Sequence, residues 1–194
     1  MTPPRITPEQ YLAMERSAEL KSEYFAGQVY PMTAGAYLHA QIVTNIGGQL
    51  NQTLKRKPCT VTFSDVRLRV FPGGLCTYPD VMVVWGEPKF ADEHQDTLLN
   101  PTLIVEVFSP STEGQDRGFK FAQYRKLDSL CAYMLVSQSE PRVETFHRRP
   151  DGWGLSEFVG IDAVRRFESL DCQILLSDVY HRVMFGEEPA NVLG

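Results

Sequence analysis

Cysteine is scarce and unpatterned in this chain. None of Cys59, Cys76, Cys131 and Cys172 forms a pair at CxxC spacing, and no histidine stands at zinc-finger distance from them, which excludes a zinc ribbon. They read as small buried apolar residues. No apolar run approaches the ~20 residues of a membrane-spanning helix. A basic stretch followed by an apolar one is absent from the N-terminus, so neither a membrane partner nor a secretory leader is expected, and a reducing cytoplasm is. Also missing are a GxSxG elbow, an HExxH helix and a phosphate-binding glycine loop. There is no excess of positive charge: the formal net charge is -5 at pH 7. That excludes a basic nucleic-acid coat, but not an enzyme that grips nucleic acid locally and adds metal charge in its site. Internal repeats and low-complexity tracts are absent.

What remains is an ordinary globular composition. The 194 residues are 43% hydrophobic and 22% charged, enough for one domain over 1–194 with a full core. Thr7-Pro8-Glu9-Gln10 marks a helix start, with Thr7 as cap and Pro8 at the first helical position, and the helix is expected to reach about Leu20. Residues 22–30 read as a hairpin turning at Ala26-Gly27, which closes an N-terminal unit over 7–32. Leu38, Ile42, Ile46, Leu50 and Leu54 recur every fourth position, one apolar stripe of a long helix over 36–56. Gly47-Gly48 in its middle suggests close packing against a strand. Residues 59–70 alternate, with an irregularity near Ser64-Asp65. Residues 76–85 and 102–108 are continuous apolar runs, as in central strands covered on both faces. Residues 86–101 read as a polar surface loop, 115–127 as a helix and 131–137 as a buried strand, completing a core over 36–138. Strands at 142–148 and 153–159, turning at Pro150-Asp151-Gly152, and a short helix at 177–183 fill the C-terminal part, 142–185. The order from residue 36 is helix, three strands, helix, strand: an α/β fold.

Two of the apolar runs each carry one carboxylate, Asp80 and Glu106. Burying an unpaired carboxylate is costly, so an acid inside a hydrophobic strand needs a partner or a metal. On neighbouring strands the two can converge on one divalent cation. In the helix that follows, Lys120 stands three residues from Gln123 and four from Tyr124, so all three can share a face.

These residues resemble a known superfamily. The helix, three strands, helix, strand order is similar to the PD-(D/E)xK nuclease core. Pro79-Asp80 resembles its Pro-Asp motif, and Glu106-Val107-Phe108 falls in its (D/E)-x-K position. More closely, the chain resembles the Uma-two family of restriction endonucleases over about residues 20 to 140. The matching stretches are 23–27, His39, 64–67, 78–81, 100–107, 109–112, 116–120, Tyr124-Arg125 and 135–138.

The resemblance implies a restriction-endonuclease-like αβββαβ core, with a mixed central sheet flanked by helices, an extra N-terminal hairpin and extra C-terminal strands. It implies Mg2+, with Mn2+ as a possible substitute, held by Asp80, Glu106 and the backbone carbonyl of Val107, and cleavage of a DNA phosphodiester. Phe108 occupies the lysine position and cannot carry a charge, so the resemblance points to Lys120 as a migrated lysine. A lysine acting as base needs its pKa lowered by burial. Glu23 and His39 are further site candidates. Phe108 also keeps open a catalytically silent module that binds nucleic acid or a protein partner. Each residue has a plainer reading beside this one. Asp80 can be a strand-end acid satisfied by backbone amides, Lys120 a solvated helix lysine, Glu23 a surface acid and His39 a structural histidine. Asp116 is most simply an acid in the first turn of its helix. The basic residues Lys55-Arg56-Lys57, Arg117, Arg125-Lys126 and Arg148-Arg149 are scattered, with Arg117 and Arg125 nearest the Lys120 helix. A homodimer is expected, because cutting both strands of a duplex needs two sites, and Tyr180 and Phe185 can serve as its interface or close the core.

Overall fold

The structure, a computed structural model, describes residues 5–33 and 35–185. Helix α1 (Pro8–Glu15) opens on a capping box: Thr7 Oγ1 accepts from the Gln10 amide, and Gln10 Oε1 accepts from the Thr7 amide at 2.8 Å. It stops at Glu15, short of the expected Leu20. The buried Glu15 carboxylate accepts from the Ser22 amide and the Tyr78 hydroxyl, which ties the helix end to the first strand. Strands β1 (Ser22–Phe25) and β2 (Gln28–Pro31) form the N-terminal hairpin, with Ala26 and Gly27 both at positive φ in its turn. Helix α2 (Tyr37–Leu54) carries the apolar stripe, with Ile42, Ile46, Leu50 and Leu54 fully buried.

There follow β3 (Cys59–Phe63), β4 (Arg67–Arg69), β5 (Cys76–Thr77), β6 (Val81–Trp85), β7 (Thr97–Leu98) and β8 (Leu103–Phe108). A π-helical turn (Gln115–Lys120) runs directly into α3 (Phe121–Tyr124). Then come β9 (Ala132–Ser137), β10 (Arg142–Arg149), β11 (Gly152–Val159), β12 (Val164–Phe167), β13 (Cys172–Leu175) and α4 (Leu176–Val179). Six strands make the main sheet, in the order β11-β10-β9-β8-β6-β3, antiparallel except for the parallel pair β8 and β9. Five make a smaller sheet, β2-β1-β5-β4-β7, and β12 pairs with β13. This is the expected α/β core with a mixed central sheet, a flanking hairpin and extra C-terminal strands.

Several sequence expectations are corrected in detail. Residues 59–70 and 76–85 are not single strands. Each run leaves one sheet for the other, the first through the turn at Ser64-Asp65 and the second at Pro79-Asp80, where proline has no amide to give a ladder. The segment 86–101 is not wholly a surface loop, because Thr97 and Leu98 are buried and pair parallel to β4. The helix at 115–127 is half π-helical. The hairpin β12–β13 has no apolar run to announce it, since charged Arg165-Arg166 interrupts it. The C-terminal helix is four residues long and begins at Leu176.

The main sheet separates two apolar layers. Val81, Val83, Leu103, Val105 and Val107 face α2. Met82, Val84, Ile104 and Phe108 face the smaller sheet and α3, with Leu68, Leu75, Tyr124 and Tyr133. Burying each large aliphatic side chain contributes about 1.5–3 kcal/mol, so both layers anchor β6 and β8 in register. The glycine pair of α2 divides. A Cβ on Gly47 would lie 2.1 Å from the Phe63 ring, whereas a Cβ on Gly48 meets nothing. Gly48→Ala is therefore expected to stabilise the fold by about 0.5–1 kcal/mol. Gly47→Ala should lose that gain to the displaced ring. Thermal melts of the two variants check this, and equal stabilisation of both would contradict the packing at Phe63.

Candidate active site

The antiparallel register of β6 and β8 pairs Val81 with Val105, Met82 with Ile104 and Val83 with Leu103. One step further, Asp80 stands opposite Glu106 on the same face, where Cβ atoms of facing residues are roughly 4.5–5.5 Å apart. Pro79 has diverted the backbone there, and the Asp80 side chain takes over its pairing: Oδ2 accepts from the Val107 amide at 2.7 Å. The same oxygen lies 3.1 Å from His39 Nε2, which α2 supplies from its first turn. That contact outweighs the opposing effect of burial and raises the His39 pKa.

Glu106 is 4% exposed in the middle of the sheet. Its Oε1 accepts from the Tyr124 hydroxyl at 2.7 Å and from Lys120 Nζ at 3.1 Å. The Lys120 ammonium also lies 3.1 Å from Asp116 Oδ1 and 3.9 Å from Glu23 Oε1. Glu23 comes from β1 and is held by the Thr77 hydroxyl of β5, so the smaller sheet closes the cluster from above. Burial pushes the Glu106 pKa up, the Lys120 charge opposes this, and Asp80 adds to it; the result is a carboxyl well above its usual range. For Lys120 burial acts downward, but Glu106 and Asp116 outweigh it and hold the amine above its ordinary value. A lysine acting as base would need the opposite shift, so the raised pKa favours the roles of stabilising negative charge and orienting water.

The structure brings Asp80, Glu106, Lys120, Glu23 and His39 into one cluster. It does not bring Gln123 there, although that residue is buried, because Gln123 accepts from Lys126 instead. Asp116 and Tyr124 matter more than sequence reasoning allowed. Their signal is the spacing Asp116, Lys120, Tyr124 at successive fourth positions, around one cation. Phe108 is buried and faces the guanidinium groups of Arg117 and Arg142. Arg117 is not open to a phosphate, being locked to Glu113 and Glu144. Lys57 is spent on Leu170 and Asp171, and Arg148 on the carbonyls of Leu127 and Leu130.

Among the described residues, no group of three histidine, cysteine, aspartate or glutamate side chains forms a ready metal cage. The donor set nevertheless fits a magnesium-like ion, which prefers oxygen and needs only one or two carboxylates beside water and phosphate. Asp80 uses only Oδ2 and Glu106 only Oε1 in hydrogen bonds. Asp80 Oδ1 and Glu106 Oε2 are left without a partner among the described residues.

Comparison with known proteins shows the family and the fold. Residues 8–176 match the model of the Uma2 (Uma-two) family, described as "Putative restriction endonuclease". Two uncharacterised proteins of Synechocystis sp. (strain PCC 6803) are similar over most of their length. One, sll1609, is 35% identical over 84% of this chain and 92% of its own; the other, slr1290, is 31% identical over 94% and 95%. The fold is similar to a crystal structure described as "a putative nuclease belonging to DUF820" from Anabaena variabilis. The TM-score is 0.74 at 19% identity, over 90% of this chain and 97% of that one.

Asp80 has a structural duty that a stability measurement can isolate. Asp80→Ala strands the Val107 amide and is expected to cost about 1–3 kcal/mol. Asp80→Asn keeps an acceptor there and should cost less. Denaturant melts in metal-free buffer test this, and equal losses would show that the amide is satisfied some other way.

Proposed function

This chain belongs to the Uma2 family, and from that membership we propose that it is a divalent-metal-dependent endonuclease hydrolysing phosphodiester bonds of DNA. The observation that carries the proposal is the convergence of Asp80, Glu106 and Lys120, from three separate elements, on one point of the main sheet. Mg2+, or Mn2+ in its place, would be held by Asp80 and Glu106 with the carbonyl of Val107. When bound it supplies charge neutralisation at the phosphate and an acidified water.

The protein's own residues supply the rest. Glu106 is fixed by Tyr124 and Lys120, so its second oxygen is presented without rotational freedom. Asp80 is fixed by the Val107 amide and His39. The Lys120 ammonium, steadied by Asp116, orients the attacking water and offsets charge gathering on the phosphate oxygens, a contribution of the kind worth roughly 10²- to 10⁴-fold in rate. His39, whose pKa the contact with Asp80 raises, is a second nitrogen group at the same edge.

The second reading is a catalytically silent module that binds nucleic acid or a protein partner. Phe108 favours it, because the lysine position of the superfamily motif is filled by a buried ring. One experiment separates the two. Plasmid DNA, single-stranded DNA and RNA are offered to the wild type with Mg2+ or Mn2+, beside Lys120→Ala and Glu106→Ala, with thermal melts of each protein with and without metal. Removing Lys120 leaves Glu106 and Asp116 uncompensated and is expected to lower metal-free stability by about 3–5 kcal/mol, so cleavage is assayed where the variant is folded by circular dichroism. The expected outcome is metal-dependent cleavage of DNA by the wild type and a loss of about 10²- to 10⁴-fold in Lys120→Ala. The metal-induced rise in melting temperature should survive in Lys120→Ala and largely vanish in Glu106→Ala. Wild-type rates in Lys120→Ala would end the migrated-lysine mechanism, and a wild type inert with both metals would leave the silent module.

A homodimer is part of the same proposal, since two active sites cut a duplex from both strands. Of the two roles open to the aromatic pair near the C-terminus, burial favours closing the core. Tyr180 is buried, donates to Ser137 and Arg142 carbonyls and packs on Phe185, closing the core. Light scattering should give twice the 22.0 kDa chain mass at micromolar concentration, and the single-chain mass would reject the dimer.

A further inference from the structure

A groove of about 390 Å³ lies at the other end of the main sheet, lined among others by His147, Arg149, Arg165, Phe167 and Ser169. It is not part of the carboxylate cluster. His147 pairs with Ala132, which pairs with Leu103, whereas Glu106 pairs with Leu135. Three residues of strand separate the two places, roughly 10 Å. They also face opposite ways: Leu103, Ala132 and His147 share the α2 side of the sheet, and Glu106 points to the other.

Three cationic or donor groups line it, and the one carboxylate among its lining residues is Glu168. Arg165 is 8% exposed and forms no ion pair among the described residues. Its guanidinium stacks on Phe167 and Phe158, donates Nε to Thr145 Oγ1 and Nη1 to the Arg166 carbonyl, and leaves Nη2 without a partner. Arg149 Nε donates to His147 Nε2 at 2.9 Å. That contact requires Nε2 to be an acceptor, so the proton of a neutral His147 sits on Nδ1, which is buried with no acceptor. A buried donor without an acceptor is costly and calls for an explanation. Gly154, opposite His147, leaves room for the Arg149 guanidinium: a Cβ there would lie 2.4 Å from it and push that flexible end aside. Burial pulls the Arg165 pKa down, with Glu168 acting weakly against it, while Arg16, Arg67, Arg117 and Arg142 are held up by carboxylates. Glu168 is an exposed acid on the rim.

We propose that this groove binds a phosphoryl group, with the Arg165 and Arg149 guanidinium groups donating to its oxygens and His147 holding Arg149 in place through Nε2. Two guanidinium groups, one from each of two strands, present several N–H donors. A tetrahedral phosphoryl group offers them more acceptor oxygens and more negative charge than a carboxylate does. The phosphoryl group belongs either to free phosphate or a small phosphate ester, or to the terminal phosphate of a nucleic acid.

The test is titration of metal-free, nitrogen-15-labelled protein with inorganic phosphate, followed by amide shifts and by calorimetry. Saturable shifts over residues 147–154 and 165–169 are expected. Arg149→Ala should weaken phosphate binding about tenfold, the loss expected for one charge-assisted hydrogen bond, and His147→Ala, which only frees Arg149 from its acceptor, should weaken it less. Both sites are at least partly exposed, which keeps the test independent of the buried Arg165. A 5′-phosphorylated dinucleotide binding more tightly than inorganic phosphate, and more tightly than its 5′-hydroxyl counterpart, assigns the group to a nucleic-acid end. Equal affinity for the phosphorylated dinucleotide and inorganic phosphate assigns it to free phosphate. No saturation at tens of millimolar, shifts confined to residues 106–124, or unchanged affinity in both variants would overturn the proposal.

Discussion

Glu106 is a carboxylate in the interior of a six-stranded sheet, flanked along its strand by buried valines. Such a group is tolerable only if positive charge and hydrogen bonds reach it, and much of the surrounding architecture brings them there. The π-helical turn delivers Lys120, and α3, one turn on, delivers the Tyr124 hydroxyl. Lys120 is then surrounded in turn by Asp116 and Glu23, so the cluster holds more acid than base. The free oxygens of Asp80 and Glu106 are where a divalent cation would redress that balance.

The exchange of strands between the two sheets serves the same end. Where β5 gives way to β6, Pro79 breaks the ladder and Asp80 is left at the end of a strand whose neighbour continues. Its side chain bonds the amide that the backbone has abandoned. A proline therefore creates an aspartate that is both anchored by one oxygen and open at the other. The smaller sheet, into which β4 and β5 carry these runs, pairs β5 with β1 of the N-terminal hairpin and so brings Glu23 over the cluster.

Much of this was legible in the sequence. Asp80 and Glu106 stand out because an acid in an apolar run is hard to explain otherwise, and Lys120 through the family resemblance, which puts Phe108 in the lysine position. Asp116 was discounted because an acid at a helix start has a sufficient local reason to be there, which only its approach to Lys120 overrides. The π-helical turn was invisible because its side-chain spacing mimics an α-helix over so short a stretch. Strand β7 escaped because two residues give no periodicity, and β12 because its buried Arg165 reads as a surface charge. The protonated state of Lys120 depends on the number of carboxylates around it, a quantity that only three-dimensional proximity supplies.

The most direct test of a one-cation, one-ammonium site is a crystal structure of the protein with Mn2+, read from the anomalous signal of the metal. A single peak between Asp80 Oδ1 and Glu106 Oε2, with Lys120 still bonded to Glu106 Oε1, is the predicted result. Anomalous density elsewhere on the protein and none at these oxygens would contradict it, as would a metal that displaces Lys120 from Glu106.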